Sequence, residues 1–311
     1  MHQQGNGTAR CYVLIPMIRW ILFFAVCFAS TRAAENASEW QATTWNGERA
    51  VVAVSSGWKA IVSLERARLV YFGRADSENN LLFAPVSKRD PAGWGGHRLW
   101  LGPQSTWSGG WPPPAAWERS EVESYSQAEG TLRLVVPVAG DGWPRVVRTY
   151  HWSGDRLTCI AELSGGTRSV QCIHILQVPP SSLIKVSALP GKISPPGYVL
   201  LPSTATPRFT AGFSPPPHVA REGDVLVLRH LKKVMKLGFV PQALIALEKT
   251  FALKMDRVTA TNISGSEPDH GFFTQVYLGG PEPFIELEQL SPMFPSGENG
   301  SFAFEIQGIT P

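Results

Sequence analysis

The chain is poor in cysteine and has no pattern of metal-binding residues. Only four of its 311 residues are cysteine, and no pair or quartet of them has the spacing of a zinc site. We therefore expect no metal and no other cofactor. The sequence also lacks a Gly-x-Ser-x-Gly elbow, a phosphate-binding glycine-rich loop and a His-Glu-x-x-His motif. These absences argue against the hydrolases, nucleotide-binding proteins and zinc proteases that depend on such motifs.

A strong charge of one sign is also missing. The formal net charge is +3, the pI is near 8.7, and the basic residues are scattered along the chain. Nucleic-acid-binding proteins usually concentrate Lys and Arg in a patch or stripe. We therefore expect no nucleic-acid partner.

The one long apolar run, residues 20–30, is too short for a comfortable membrane span. Arg10 and Arg19 precede it and small residues follow it, which is the layout of a signal peptide. The sequence predicts a cleaved signal over residues 1–33, with an uncleaved anchor as the alternative. The mature chain, residues 34–311, is then periplasmic or secreted and has no stable membrane span.

Short runs rich in Val, Ile, Leu, Phe and Tyr recur along the mature chain, and no segment keeps a long 3.6-residue period. This pattern predicts an all-β protein with a large antiparallel β-sandwich in one domain. A short helix competes with a strand only at 224–236. Two segments rich in proline, residues 90–118 and 179–217, are predicted to be long loops, which are often functional.

Two strand-like runs, residues 156–163 and 168–178, flank the sequence Ser-Gly-Gly-Thr. This spacing predicts a β-hairpin with the two glycines in the turn. In that register Cys159 faces Cys172, and an oxidising compartment would allow them to form a disulfide. Two small buried residues that face each other without a bond are the alternative.

Residues 90–118 concentrate the aromatic residues. Five of the eleven tryptophans lie there: Trp94, Trp100, Trp107, Trp111 and Trp117. Flat aromatic rings stack on the C–H faces of sugars, and polar side chains bind the sugar hydroxyls. The segment therefore suggests a mono- or oligosaccharide as ligand. The alternative is that the tryptophans fix a long loop to the sheet.

The polar candidates in this segment are His97, Arg98 and Gln104, and the aromatic ones are Trp100 and Trp111. His97 and Arg98 are consecutive, so in an extended chain their side chains point in opposite directions. We therefore expect only one of the two to reach a ligand, and we favour His97.

Several short motifs resemble those of a bacterial family in the galactose-mutarotase-like superfamily, which includes the aldose 1-epimerases. They are Gly-Gly-His-Arg-Leu-Trp at 95–100, Pro-Gln at 103–104, Trp-Pro-Pro at 111–113, Pro-Asp-His-Gly at 268–271, Phe-Ile-Glu-Leu-Glu-Gln-Leu-Ser-Pro at 284–292 and Pro-Ser-Gly-Glu at 295–298. The resemblance implies a β-supersandwich. It also implies, for the epimerases, a glutamate base and a histidine acid that open and reclose a sugar ring.

The epimerase glutamate is similar in position to Glu286 or Glu288, and the epimerase histidine to His174. The two glutamates share a strand face, where each can raise the pKa of the other. A solvated strand face and a buried core histidine are the alternatives. The epimerase Leu-His-Gly-Gly signature is absent, and Gly95-Gly96-His97 only inverts its order.

Three interpretations of function follow from the sequence. The first is an exported carbohydrate-binding protein whose Trp-rich loop and Glu-bearing strand frame a sugar cleft, with or without catalysis. The second is a mutarotase with Glu286 or Glu288 as base and His174 or His97 as acid. The third is an envelope interaction module that binds no sugar.

Overall fold

The computed structural model describes residues 39–84, 95–108, 112–188, 196–201, 216–240, 243–248, 251–261 and 271–310. The predicted signal, residues 1–33, and the candidate ligand-binding residue Trp111 lie outside this part of the chain. So do Trp94 and most of the Pro-Asp-His-Gly motif. No helix of the described residues has the length and hydropathy needed to cross a membrane.

The described residues form three antiparallel sheets. The four-stranded sheet runs in the order β1 (Gln41–Trp45), β2 (Glu48–Ser55), β3 (Trp58–Ser63), β4 (Arg68–Arg74). The six-stranded sheet runs in the order β12 (Val199–Leu201), β15 (Val234–Phe239), β18 (Thr274–Gly279), β19 (Ile285–Leu290), β10 (Gln171–Val178), β5 (His97–Gly102). The predicted all-β antiparallel architecture is confirmed.

The ten-stranded sheet is the largest. Its order is β13 (Val219–Glu222), β14 (Val225–Leu228), β11 (Leu183–Ser187), β16 (Ala243–Glu248), β17 (Phe251–Thr261), β20 (Gly300–Ile309), β9 (Arg156–Ser164), β8 (Arg145–Ser153), β7 (Thr131–Val136), β6 (Ser124–Ala128). A 3-10 turn, η1 (Gln104–Thr106), and one short helix, α1 (Ala115–Arg119), follow β5.

Strands also occur in the segments for which the sequence left a helix open or predicted a long loop. Residues 224–236 contain β14 and the start of β15, so the strand interpretation is correct there. The predicted loop 90–118 contains β5 and α1, and the predicted loop 179–217 contains β11 and β12. The prediction of continuous loops was wrong, and the described prolines of these segments lie outside the strands.

The predicted hairpin between β9 and β10 is also wrong. β9 pairs with β8 and β20 in the ten-stranded sheet, whereas β10 pairs with β5 and β19 in the six-stranded sheet. Cys159 and Cys172 are consequently in different sheets, and both are free, buried thiols. The predicted disulfide is therefore wrong. Every residue of β10 is buried, which suits a central strand covered on both faces.

The six-stranded and ten-stranded sheets pack against each other through apolar side chains that alternate along their strands. Leu99 and Leu101 of β5 and Cys172 of β10 share one apolar cluster with Ala161 of β9 and Phe302 of β20. This packing fixes which face of β5 and β10 looks into the core. The opposite face of the six-stranded sheet carries polar side chains together with buried apolar ones such as Ile173 and Leu290.

Candidate functional site

Charged and amide side chains gather on the face of the six-stranded sheet that points away from the core. We call this face the polar face and define it by these residues: Arg98, Trp100, Gln177, Lys236, Gln275, Tyr277, Glu286 and Glu288. They meet because the register of the strands pairs Glu286 with Gln177 on one side and with Tyr277 on the other. Likewise Glu288 pairs with Gln275. Alternation then directs all these side chains to one side.

Arg98 joins two carboxylates from distant parts of the chain. Its Nη2 donates to Glu118 Oε2 at 2.7 Å, and its Nε donates to the same carboxylate at 3.1 Å. Its Nη1 donates to Glu286 Oε1 at 3.3 Å. The Trp100 indole N–H also donates to Glu118. Helix α1 therefore delivers a carboxylate that holds Arg98 in place beside Glu286.

Glu118 also neutralises Arg68, which is completely buried. Arg68 Nη2 donates to the Glu118 backbone carbonyl at 2.6 Å and lies 3.4 Å from its Oε2. Burial alone would raise the pKa of Glu118, but Arg98 and Arg68 outweigh it and lower that pKa to about 2. Glu118 is thus ionised at every physiological pH.

Glu286 has the opposite character. Burial raises its pKa to about 7, Arg98 opposes the rise, and the nearby Glu288 adds to it. Gln177 Nε2 donates to Glu286 Oε1 at 2.8 Å and fixes its orientation. A carboxyl group that titrates near neutrality can take up or release a proton at working pH. Such perturbed groups are common at functional sites and also occur in structural networks.

A small cavity of about 20 Å³ opens beside this network. Its lining residues are Trp100, Gln104, Trp107, Ile173, Lys236, Gln275, Glu288 and Leu290. Lys236 Nζ donates to Glu288 Oε2 at 2.9 Å within it. The cavity therefore combines tryptophans of the early segment with a carboxylate of the late strand β19. Its size suits a single hydroxyl group or water, not a whole sugar ring.

His97 and His174 lie on the other face of the same strands, inside the core. His97 Nε2 is 2.9 Å from His174 Nδ1, and His97 Nδ1 is 3.2 Å from the Tyr150 hydroxyl. Of the two consecutive candidates, Arg98 thus lies on the polar face and His97 in the core, and the preference for His97 as a ligand contact stays a prediction. The predicted pair of a catalytic glutamate and His174 is likewise divided between the two faces of the sheet.

The hydrogen bonds of the two histidines determine which nitrogen carries each proton. The carbonyl of Phe302 can only accept, so His174 Nε2 donates to it, at 3.3 Å. His174 Nδ1 must then accept from His97 Nε2, and His97 Nδ1 accepts from the Tyr150 hydroxyl. Burial lowers the pKa of His97 well below its usual value and that of His174 to about 3. Both histidines are therefore neutral core residues.

Solved structures of similar fold include two with mutarotase in their description. A galactose mutarotase-like protein from Lactobacillus casei ATCC 334 is 12% identical, with a TM-score of 0.56 over 84% of this chain and 100% of that one. A galactose mutarotase related enzyme from Lactobacillus acidophilus is 8% identical, with a TM-score of 0.53 over 84% of this chain and 97% of that one. The chain has the galactose-mutarotase-like fold. No protein-family model and no curated protein matches its sequence.

In this mutarotase-like fold, the described tryptophans of the early segment pack mainly on one another. Trp100 makes an edge contact with Trp107 at 5.4 Å between ring centroids, Trp107 with Trp117 at 6.2 Å, and Trp117 with Trp143 at 4.8 Å. The guanidinium of Arg98 lies over the Trp100 ring, 4.5 Å from its centroid. The interpretation that tryptophans fix the segment to the sheet thus describes these rings, while Trp100 and Trp107 also line the cavity.

The sequence did not single out Glu118, Gln177 or Lys236, although each binds a candidate residue. Glu118 is the last residue of the Trp-rich segment 90–118, and its proximity to Arg98 depends on how α1 folds back over β5. Gln177 and Lys236 become neighbours of the glutamates only through the order of strands in the sheet. Alternation within β10 offered one signal, because Gln177 is an amide that shares a strand face with Ile173 and Ile175. Among the described residues, no three His, Cys, Asp or Glu side chains form a group that could hold a metal ion.

Proposed function

We propose that the polar face binds a saccharide. The observation that supports this most directly is the cavity lined by Trp100, Trp107 and Glu288, where aromatic rings meet charged and amide groups. Sugars need both kinds of contact. Because the cavity measures about 20 Å³, one hydroxyl of the sugar enters it, between Lys236 and Gln275, while the ring lies over its mouth.

Isothermal titration with a panel of neutral mono- and oligosaccharides tests this proposal. We expect saturable binding by the unmodified protein and at least tenfold weaker binding by Lys236→Met, which loses a charged donor to the sugar hydroxyl. Gln127→Ala, on the exposed edge strand β6, is the matched control and should bind as the unmodified protein does. No binding across the whole panel would exclude a saccharide-binding function.

A second candidate function is the interconversion of sugar anomers. Glu286 favours it, since a carboxylate with a pKa of about 7 is suited to accept the proton of an anomeric hydroxyl. The acid would have to be a group other than His97 or His174, and Tyr277, which pairs with Glu286 across β18 and β19, is the nearest candidate in register. Polarimetry on freshly dissolved sugars separates the two functions. Glu286→Gln and Tyr277→Phe should each abolish acceleration if catalysis occurs, and a spontaneous rate with the unmodified protein leaves binding alone.

The proposed function includes export to the periplasm or the extracellular space, directed by residues 1–33. Fractionation of expressing cells, with N-terminal sequencing of the recovered protein, tests this. A product that retains its first residues in the cytoplasmic fraction would refute export.

A further inference from the structure

A second and larger cavity, of about 320 Å³, lies apart from the polar face. Its lining residues are Thr106, Ser108, Pro112, Pro114, Ala139, Trp143 and Arg168. None of them lines the first cavity. Yet the two cavities adjoin the same segment, because Trp107 lines the first and its neighbours Thr106 and Ser108 line the second. A volume of this size is at the lower end of small-ligand pockets, which begin at roughly 300 Å³, and it suits one ring-sized ligand.

The positive charge in this second cavity is held in place. The guanidinium of Arg168 lies over the Trp143 ring, 4.6 Å from its centroid. The Arg168 backbone N–H donates to the Gly142 carbonyl at 3.2 Å. No carboxylate of the described residues forms an ion pair with Arg168, and its side chain is exposed. A planar guanidinium stacked on an aromatic ring keeps its outward N–H donors available. Two of these donors can bind the two oxygens of one carboxylate.

The hydroxyls of Thr106 and Ser108 differ in the hydrogen bonds that they can form with a ligand in the second cavity. Thr106 Oγ1 donates its proton to the Pro103 carbonyl at 2.7 Å. It has no other proton, so toward a ligand it can only accept. A ligand that contacts this oxygen would therefore have to offer a hydroxyl or amine proton. Ser108, also exposed to the cavity, can either donate or accept.

The remaining wall is apolar. The side chains of Pro112, Pro114 and Ala139 carry only C–H groups, and the prolines have no backbone N–H. Such side chains suit the C–H face of a saturated ring. The cavity is thus complementary to a small molecule that has an anionic group, a donor hydroxyl and an apolar face.

We propose that this second cavity binds a pyranose ring that carries a carboxylate, that is, a uronic acid. Its carboxylate pairs with Arg168, one of its hydroxyls donates to Thr106, and its C–H face lies against the prolines. A single arginine without a second cation favours a singly charged planar carboxylate over a doubly charged phosphate. The site does not depend on saccharide binding at the polar face.

Titration calorimetry with sodium D-glucuronate and sodium D-galacturonate, against D-glucose and D-galactose, tests the proposal. We expect at least one uronate to bind at least tenfold more tightly than its neutral counterpart. Arg168→Gln should remove that preference, while Arg229→Gln, an exposed arginine without an ion pair among the described residues, should retain it.

Three results would overturn the assignment. The first is a preference for uronates that survives Arg168→Gln or is absent from the unmodified protein. The second is binding of D-glucose 6-phosphate as tight as that of the uronates, which would contradict the carboxylate. The third is loss of the preference in Lys236→Met but not in Arg168→Gln, which would place the uronate on the polar face. Binding of neutral sugars tests the polar face, and the preference for uronates tests the second cavity. The two proposals can therefore fail independently.

Discussion

Single residues decide whether the buried charges of this protein are tolerable. Arg68, Arg98 and Arg148 are all nearly inaccessible to solvent. The Nη1 and Nη2 atoms of Arg148 donate to backbone carbonyls, including that of Ala67 at 2.8 Å. Arg68 and Arg98 instead share the Glu118 carboxylate. A buried charge whose partner is removed costs far more than an exposed one, because water cannot replace the lost interaction.

Replacement of Glu118 by glutamine should therefore destabilise the protein strongly. Glu118→Gln keeps the shape of the side chain but leaves Arg68 and Arg98 without their shared negative charge. We expect the free energy of unfolding to fall by about 3–5 kcal/mol, measured by urea denaturation. Glu162→Gln is the control, since Glu162 and Arg133 form an exposed pair at 3.3 Å, for which a loss of at most about 1 kcal/mol is expected. Equal losses in the two variants would contradict this account.

Strand alternation predicts which side chains share a face, but not which of the two faces lies in the core. It predicted that His97 and Arg98 point to opposite faces and that Glu286 and Glu288 share one face, and these statements depend only on strand geometry. It could not tell which face of β5 is the core. That depends on the ten-stranded sheet, which covers His97 with Tyr150 and Phe304. The sequence positions of these partners carry no sign of that contact.

At the scale of elements, strand composition was a better guide than the turn between strands. Gly165 and Gly166 do adopt the positive φ angles of a turn, at 68° and 85°. The chain nevertheless crosses from one sheet to the other there. β9 alternates between buried and half-buried residues, whereas β10 is buried throughout. Such different patterns do not suit partners in one hairpin, and they are visible in the sequence of the two runs.

Contact between the four-stranded and ten-stranded sheets depends on a glycine in β20. A Cβ atom built on Gly308 would lie 2.2 Å from the Trp58 ring of β3. Trp58 is also stacked on Phe72 of β4, with ring centroids 5.6 Å apart, so it has little freedom to move away. The absence of a side chain at this position therefore allows the indole to lie directly on the backbone of β20.

Gly308→Ala should consequently cost about 1–3 kcal/mol of unfolding free energy through overpacking. Thermal and urea unfolding measure this loss. The matched test is the double variant with Trp58→Phe, whose smaller ring makes room for the added methyl group. In that background the cost of Gly308→Ala should shrink markedly, giving a coupling energy of at least about 0.5 kcal/mol. Strict additivity of the two substitutions would show that the ring and the glycine do not interact in this way.

For the molecule as a whole, the buried histidines and Glu286 have opposite effects on stability as the pH changes. His97 and His174 have pKa values below that of an unfolded histidine, so folding excludes their protons below pH 6.5. Their contribution to stability is complete above that pH and is lost as the pH falls. Glu286 has a raised pKa of about 7, so its contribution is complete below its unfolded value of 4.5 and is lost as the pH rises.

Between pH 4.5 and 6.5 the histidines and Glu286 change the free energy of unfolding in opposite directions. From these three groups alone, unfolding takes up two protons on His97 and His174 and releases one from Glu286, so together they lower stability on acidification by about 1.4 kcal/mol per pH unit. In Glu286→Gln the opposing proton is absent, and the slope should be steeper than that of the unmodified protein by about 1.4 kcal/mol per pH unit. Urea denaturation at half-unit pH steps measures both slopes. An unchanged or shallower slope in Glu286→Gln would mean that Glu286 is ionised in the folded protein across this range, which would also remove the physical basis for its role as a base.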